Sequence, residues 1–294
     1  MHYVLHALAT RRTALRDIIA LTKPRITLMV LLTTACGLWL APGRVGLANG
    51  LWATLGTAVL VSAAGILNCW LEIDVDARMP RTATRPLPAG RLHPNTALSV
   101  GLVLGTCSVV ALCVKVNPLT GLLGAFALFL YVGVYTPLKL RSPKALLVGA
   151  IPGAMPPLMG WTAVTGQIDP GAVCIFAILF FWQLPHFIAI SMFRKEEYMR
   201  AGVRIVPWVR GEKAAVVHAI AYSLLLWASS MALWGLGTAG AWYGAVALVL
   251  GAVFFGWSLF GLWHRDLSSW AKQLFFFSLI FITLLFPVMA LDAV

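Results

Sequence analysis

The sequence predicts an all-α fold: a polytopic membrane protein with nine transmembrane helices, arranged as two pseudo-repeated halves around a central cavity. Three observations predict it. Of 294 residues, 60% are hydrophobic and only 11% charged, where a soluble domain is about half apolar and a quarter charged. Mean hydropathy is +0.87. The apolar runs are continuous, about 20 residues long and without alternation, which suits spanning helices and not barrel strands. A disordered chain and a soluble enzyme are thereby excluded. In a soluble protein the net charge of +12 would suggest nucleic-acid binding. Here the basic residues sit between apolar runs, so membrane lipid is expected as a partner and nucleic acid is not.

The spans follow in order, and the loops between them justify each. An N-terminal segment, 1–25, carries Arg11, Arg12, Arg16, Lys23 and Arg25. Residues 12–22 have the pattern of an interfacial amphipathic helix. Lys23-Pro24-Arg25 interrupts the apolar run, so the segment does not read as a secretory or twin-arginine signal. The first span, 26–41, is short and needs a turn from upstream. Arg44 precedes the second, 47–71. The loop 72–95 holds Arg78, Arg81, Arg85 and Arg91. The third span, 96–116, contains Lys115 and leads into the fourth, 118–136. Lys139, Arg141 and Lys144 separate that from the fifth, 144–164. The sixth, 171–193, ends at a loop with Arg194, Lys195, Arg200, Arg204, Arg210 and Lys213. The seventh and eighth, 214–236 and 241–263, precede Arg265 and Lys272; the ninth is 273–291. Twenty of the 22 basic residues then lie on one side, leaving Arg44 and Lys115 on the other. The positive-inside rule places the N-terminus in the cytoplasm and the C-terminus outside. The short leader favours a bacterial plasma (inner) membrane over a mitochondrion. No long linker divides the chain, so residues 1–294 are expected to form one domain. The five cysteines all lie in apolar stretches without CxxC pairing, and read as small buried residues.

Ten acids exist, and five lie at two places on the basic side. Glu72, Asp74 and Asp76 close the second span; Glu196 and Glu197 follow the sixth. Carboxylates at a membrane edge default to function. Asn68, Glu72 and Asp76 run i, i+4, i+8, so one helix face carries an amide and two carboxylates. Asp74 points elsewhere. Hard oxygen ligands suit Mg²⁺, which bridges one or two carboxylates to substrate phosphates. Arginines grip phosphate in forks. Carboxylates, Mg²⁺ and the arginines at 78, 81, 85 and 91 together describe a diphosphate site. The spacing R-x₃-R-x₂-P occurs at Arg81, Arg85 and Pro88 and again at Arg200, Arg204 and Pro207. Each run follows acids at the end of an even-numbered span, which suggests two repeated halves with the site between them.

In the sixth span, Trp182-Gln183-Leu184-Pro185-His186-Phe187 puts a helix breaker and polar groups at membrane depth. Gln183, His186, Ile190, Phe193 and Glu197 follow helical spacing, so the polar pair sits on the stripe that leads to Glu197. A lone histidine is more often a satisfied core residue. Gln183 one turn away raises His186 above His2, His6, His93, His218 and His264.

At these residues the chain resembles the intramembrane prenyltransferase superfamily. The resemblance begins at Leu21-Thr22-Lys23-Pro24-Arg25-Ile26. It continues through the first motif, Asn68 to Asp76, and Arg81-Thr82-Ala83-Thr84-Arg85-Pro86. A YxxxK loop follows at Tyr135-Thr136-Pro137-Leu138-Lys139, then Pro156 to Trp161. The stretch Trp182 to Phe187, with Glu196-Glu197-Tyr198 and Ala201 to Pro207, is similar to the haem-directed branch. Glu72, and Glu196-Glu197, stand where the family usually has aspartates, and Leu184 where it often has proline. The resemblance implies farnesyl diphosphate as donor, haem B as acceptor and Mg²⁺ as cofactor. It also implies delivery of the product to a haem A synthase or terminal-oxidase assembly. On this reading Glu72, Asp76, Glu196 and Glu197 hold the metal, and Asn68, Lys139 and His186 join them in catalysis. Arg78, Arg81, Arg85, Arg141 and Arg204, with Tyr135, Trp182 and Gln183, line the substrates.

Other readings use part of the same residues. A prenyltransferase acting on an aromatic quinone precursor shares the metal site and differs in the acceptor pocket. A lipid-phosphate transferase would also use carboxylates, Mg²⁺ and arginines. A membrane haem carrier or transporter would need two facing imidazoles, for which His186, His218 and His264 are available, and would leave the acids unexplained.

Overall fold

The computed structural model describes residues 15–294; Arg11, Arg12, His2, His6 and the start of the expected interfacial helix lie outside them. The described chain is helical, and its only extended pairing is an isolated bridge between Ala239 and Ala293. A short helix α1 (Leu15–Leu21) meets α2 (Pro24–Leu40) at a 54° bend. Lys23 sits at that bend with φ 54°, a left-handed conformation that costs a side-chain-bearing residue about 1 kcal/mol or more. Pro24 restricts its predecessor to non-helical backbone, which explains why helix α1 cannot run straight into α2. The first span therefore borrows from upstream as expected, but across a break.

The remaining spans are α3 (Leu47–Leu71), α5 (Pro94–Lys115), α6 (Pro118–Phe129), α8 (Ala145–Thr165), α9 (Pro170–Phe193), α12 (Glu212–Gly235), α13 (Ala241–Phe260) and α14 (Leu267–Leu291). Short helices α4 (Ile73–Ala77), α7 (Thr136–Leu138), α10 (Lys195–Arg200) and α11 (Val206–Val209) lie in the loops. With α6, the segment after it and α7 taken as one helix, Pro118–Leu138, eight described helices are long and apolar enough to cross a membrane alone, and α1 with α2 makes a ninth. The chain is thus a multi-pass membrane protein.

Two ends differ from the sequence reading. Helix α14 begins at Leu267, capped by Asp266 accepting from Ser268 and Ser269. Lys272, expected in a loop, is therefore on the helix. Helix α6 does not continue as α-helix to 136 but becomes a π-helical segment, Leu130–Tyr135. Such insertions recur at functional sites, and this one turns the Tyr135–Lys139 stretch toward the end of α3.

Packing supports two halves. Helices α3 and α5 pack extensively against each other, and so do α9 and α12, their counterparts four spans later. Helices α2 and α8 join the halves. A Cβ at Gly160 of α8 would collide with the Thr34 carbonyl of α2, so only glycine permits that approach. Trp161, Ile175, Ile178, Phe254, Trp270 and Phe281 fill the core.

The loops between even- and odd-numbered spans gather at one end. Arg91 pairs with Asp17 at 3.3 Å, Arg81 with Glu197 at 3.5 Å, and the Arg204 amide donates to the Lys139 carbonyl at 2.8 Å. Val75 and Met79 from one loop pack on Ala201 and Val203 from another. At the opposite end, Trp39 donates to Ala290 (2.8 Å), Asn117 to Thr162 (2.8 Å) and the Gly240 amide to Asp292 (2.7 Å).

Candidate active site

The site is built where α3 stops. Glu72 leaves helical geometry, with φ −106° and ψ 14°, yet the i→i+4 ladder survives. The Glu72 amide donates to Asn68 at 3.1 Å and the Asp76 amide to Glu72 at 2.7 Å. The expected shared face therefore carries through the interruption, and Asp74 is exposed as anticipated. Asn68, Glu72 and Asp76 are 3%, 5% and 1% exposed. Charges so deeply buried are sustained only by partners.

Those partners come from three other segments. Asn68 Nδ2 donates to Glu72 Oε1 (2.6 Å) and to Thr136 Oγ1 (3.1 Å). Lys23 Nζ donates to Asn68 Oδ1 at 2.7 Å. Lys139 Nζ pairs with Glu72 Oε1. The result is a chain of polar contacts, Lys23–Asn68–Glu72–Lys139, that ties the α1–α2 bend and the YxxxK loop to the first acidic motif. Thr136 also donates to the Tyr131 carbonyl inside the π-helical segment at 2.8 Å. Lys23 was legible only as part of a motif, and Thr136 not as a site residue; neither carries a spacing signal.

Asp76 Oδ2 accepts from Arg85 Nη1 at 2.7 Å. Partial burial alone would lower the Arg85 pKa; the hydrogen bond and charge of Asp76 outweigh it, and the pKa is raised. Asp76 is thus a buried ion-pair member. Thr82 stays buried and donates to the Asp76 carbonyl at 2.8 Å, fixing the turn that returns Arg85. Arg78, Arg81 and Arg141 are exposed on the same end.

The second bank is looser. Glu197 takes Arg194 at 3.0 Å and Arg81 at 3.5 Å, which joins the two acidic motifs. Its Oε1 is buried without a hydrogen-bond donor. Glu196 is solvent-facing, its side chain 90% exposed, and lies 3.8 Å from Arg200. Arg204 lies over the Trp208 ring at 5.7 Å. Among the described residues, no three histidine, cysteine or acidic side chains converge as a metal cage, so the four expected ligands do not form one. A metal held by one or two carboxylates and substrate phosphates needs no such cage. Glu72 and Asp76 each have one oxygen outside the hydrogen bonds above, and Glu197 has an undonated one. This donor set fits a hard divalent cation.

The polar pair of α9 is split. Gln183 faces α8, donating to the Ala150 carbonyl there (3.3 Å) and to the Leu179 carbonyl of its own helix (2.9 Å). A Cβ at Gly153 would strike its amide. His186 faces α14 instead: Nδ1 bonds Ser278 Oγ at 2.7 Å, and the ring packs on Trp182 (4.9 Å) and Phe275 (4.8 Å). Trp182 Nε1 donates to the Ser278 carbonyl at 2.7 Å. The common stripe expected from spacing is therefore two contacts on different neighbours. His218 and His264 pack on Tyr222 and Phe260 respectively.

Residues 30–280 match the UbiA prenyltransferase family. The chain is 50% identical over 282 residues to a protoheme IX farnesyltransferase of Myxococcus xanthus, covering 96% of each chain. It is 45% identical to the protoheme IX farnesyltransferase of Sorangium cellulosum, covering 90% of this chain and 100% of that one. Among solved structures, a digeranylgeranylglyceryl phosphate synthase superposes with TM-score 0.83 at 15% identity, covering 95% and 98%. A UbiA homologue from Archaeoglobus fulgidus bound to GPP and Mg²⁺ superposes with TM-score 0.63 at 18% identity, covering 93% and 99%.

Proposed function

The chain belongs to the UbiA prenyltransferase family, and on that premise we propose that it transfers a farnesyl group from farnesyl diphosphate to a vinyl group of haem B, giving haem O. The observation that carries the choice of substrates is the 50% identity to a protoheme IX farnesyltransferase over 96% of both chains. The buried amide–carboxylate face at 68, 72 and 76, ringed by Lys139 and Arg85, supports a prenyl diphosphate as donor.

In the proposed reaction the C1–O bond of farnesyl diphosphate breaks, and the diphosphate departs with the electron pair. The vinyl π electrons form the new bond to C1 from the terminal carbon. The positive charge left on the carbon beside the pyrrole is captured by water, which loses a proton. A hydroxyethylfarnesyl group results. No protein nucleophile is required.

The residues divide this work. Lys139, Arg85, Arg81, Arg78 and Arg141 offer donors to the diphosphate oxygens, and preorganised donors aimed at developing charge are worth the most in a dry site. Glu72, Asp76 and Glu197 would hold Mg²⁺, with Glu196 too exposed to contribute more than field. Bound there, the ion would neutralise the leaving group as a Lewis acid. Asn68 holds Glu72 in place, and Lys23 holds Asn68. The stacked rings of Tyr131 and Tyr135, 5.3 Å apart, wall the site where water would quench an allylic cation. The basic loop end faces the cytoplasm of a bacterium on this reading, which the charge asymmetry supports. The product would pass to an enzyme or oxidase assembly that uses a farnesylated haem.

The test is product mass. Purified protein given farnesyl diphosphate, Mg²⁺ and haem B is expected to yield haem gaining one farnesyl and one hydroxyl group. Product from 4-hydroxybenzoate in place of haem B, with none from haem, would refute the acceptor assignment and keep the donor.

A further inference from the structure

The proposed acceptor needs a seat beside the donor, and this inference rests on that reading of the acceptor. We propose that haem B binds in the cleft between α9–α10 and α14 at the loop end. There Lys272 takes one of its carboxylates and Phe275 packs on its macrocycle.

The cleft is an open groove of ≈ 1170 Å³. That lies at or above the upper range of small-molecule sites, about 300–1,000 Å³, and suits a large flat ligand. Its wall is apolar: Ile190, Met192 and Phe193 of α9 and Phe275 of α14 line it, with the exposed Phe276 ring at its edge. Its rim is charged and in cationic excess, with five cations, Arg81, Arg194, Lys195, Arg200 and Lys272, against three acids, Glu196, Glu197 and Glu212. A ligand for this cleft has a flat apolar body and anionic ends on one edge. Haem B, with two carboxylates on one edge of a hydrophobic ring, has that form.

The rim charges are not equivalent. Arg194 is engaged by Glu197 at 3.0 Å, Lys195 by Glu212 at 2.8 Å, and Arg200 lies 3.8 Å from Glu196. Among the described residues, Lys272 has no acid within ion-pair distance. It projects from the first turns of α14, one turn before Phe275 and Phe276. A cation and an aromatic pair on adjacent turns present head-group and ring contacts together.

Position relative to the donor supports the same assignment. Arg81 and Glu197 line this cleft and also bridge the two acidic motifs. The cleft therefore shares a wall with the diphosphate site. His186 stands behind that wall, its ring 4.8 Å from Phe275, and is a positioning residue for the ring contact.

Haem titration of the detergent-solubilised full chain, followed by absorbance, tests this without turnover. Lys272→Glu is expected to raise the haem B dissociation constant about tenfold or more, the scale of a lost charge-assisted hydrogen bond. Lys272→Arg should restore it, and farnesyl diphosphate affinity should hold within about twofold. Haem dimethyl ester, which lacks the anionic ends, should bind wild type and Lys272→Glu alike. Haem affinity unchanged in Lys272→Glu overturns the proposal, as does ester binding as tight as haem itself. So does loss of phosphatidylglycerol retention with haem binding intact, which would make the cleft a lipid seat. Haem binding through Lys272 without farnesylated product supports the site and sinks the functional reading alone.

Discussion

Asp76 shows how a single residue can be found by spacing while its environment stays hidden. The i, i+4, i+8 pattern placed it on the face of Asn68 and Glu72, and the backbone ladder keeps it there. Nothing in the sequence marked Arg85 as its partner, because a return turn nine residues long has no periodic signature. The structure makes Asp76 1% exposed and bonded to Arg85. Removing one partner of such a pair leaves a charge without compensation, so Asp76→Ala should lower the melting temperature as well as activity. Asp76→Asn separates the two effects, since it keeps the shape and a hydrogen-bonding oxygen. Its turnover should fall roughly 10²–10³-fold, the scale of losing a major electrostatic contact to the transition state, with a smaller loss of stability. Wild-type turnover in Asp76→Asn, measured across a Mg²⁺ titration after EDTA treatment, would remove Asp76 from the metal site. His186 poses the opposite problem: it was legible as unusual but not in its direction. In a span apolar on all sides, helical spacing cannot say which neighbour a polar group meets, and Gln183 and His186 meet different ones. His186→Ala should cost stability of the order of 1–3 kcal/mol, from the stranded Ser278 contact and lost ring packing. It should also raise the KM for haem B while donor affinity stays near wild type. An unchanged haem KM with lowered thermal stability would make the residue purely structural.

At the scale of elements, the spans were readable because hydrocarbon thickness fixes their length. Their ends were readable where a proline or a capping residue stands, as at Pro94, Pro118 and Pro170. Two elements escaped. The π-helical turn at Leu130–Tyr135 adjoins Thr136, which accepts from Asn68 at 3.1 Å, a tertiary contact that no local propensity encodes. The bend at Lys23 was visible only as a short first span. Its structure gives that bend a purpose: the strained backbone, φ 54°, aims Lys23 Nζ at Asn68 Oδ1, 2.7 Å away. The strain and the side chain can be tested apart. Lys23→Gly relieves the left-handed conformation but removes the ammonium, whereas Lys23→Ala keeps the strain and removes the ammonium. If the ammonium organises the site, both variants should lose turnover to a similar degree. The glycine variant should nonetheless melt higher than the alanine one. Near-wild-type turnover in Lys23→Gly would show that the bend alone matters.

At the scale of the whole molecule, sidedness is the property on which the site depends. Two acidic motifs 120 residues apart in the chain can share one substrate only if an even number of crossings separates them. The basic-loop count anticipated this, and the contacts agree: Arg81 reaches Glu197, and the Arg204 amide reaches Lys139. Ser268 and Lys272 line the same cleft as Arg81, which brings the last basic loop to that end. The 41–46 loop lies at the other, where a Cβ on Gly43 would touch Val164 at the far end of α8. Which end faces the cytoplasm is set by charge and the insertion machinery rather than by packing, and it can be measured. Single cysteines at exposed Arg141 and Arg265 should react with an impermeant maleimide only in inverted vesicles. Those at exposed Arg44 and Gln167 should react in intact spheroplasts. Gln167 serves better than neighbouring Asp169, which caps α9 through the Ala172 amide and accepts from Trp161 at 2.9 Å. Labelling all four from one side would break the nine-crossing arrangement, and a clean inversion would keep it while moving the site to the outer face. The second outcome would matter chemically, since farnesyl diphosphate cannot cross the bilayer unaided: a trianionic head pays too high a desolvation cost.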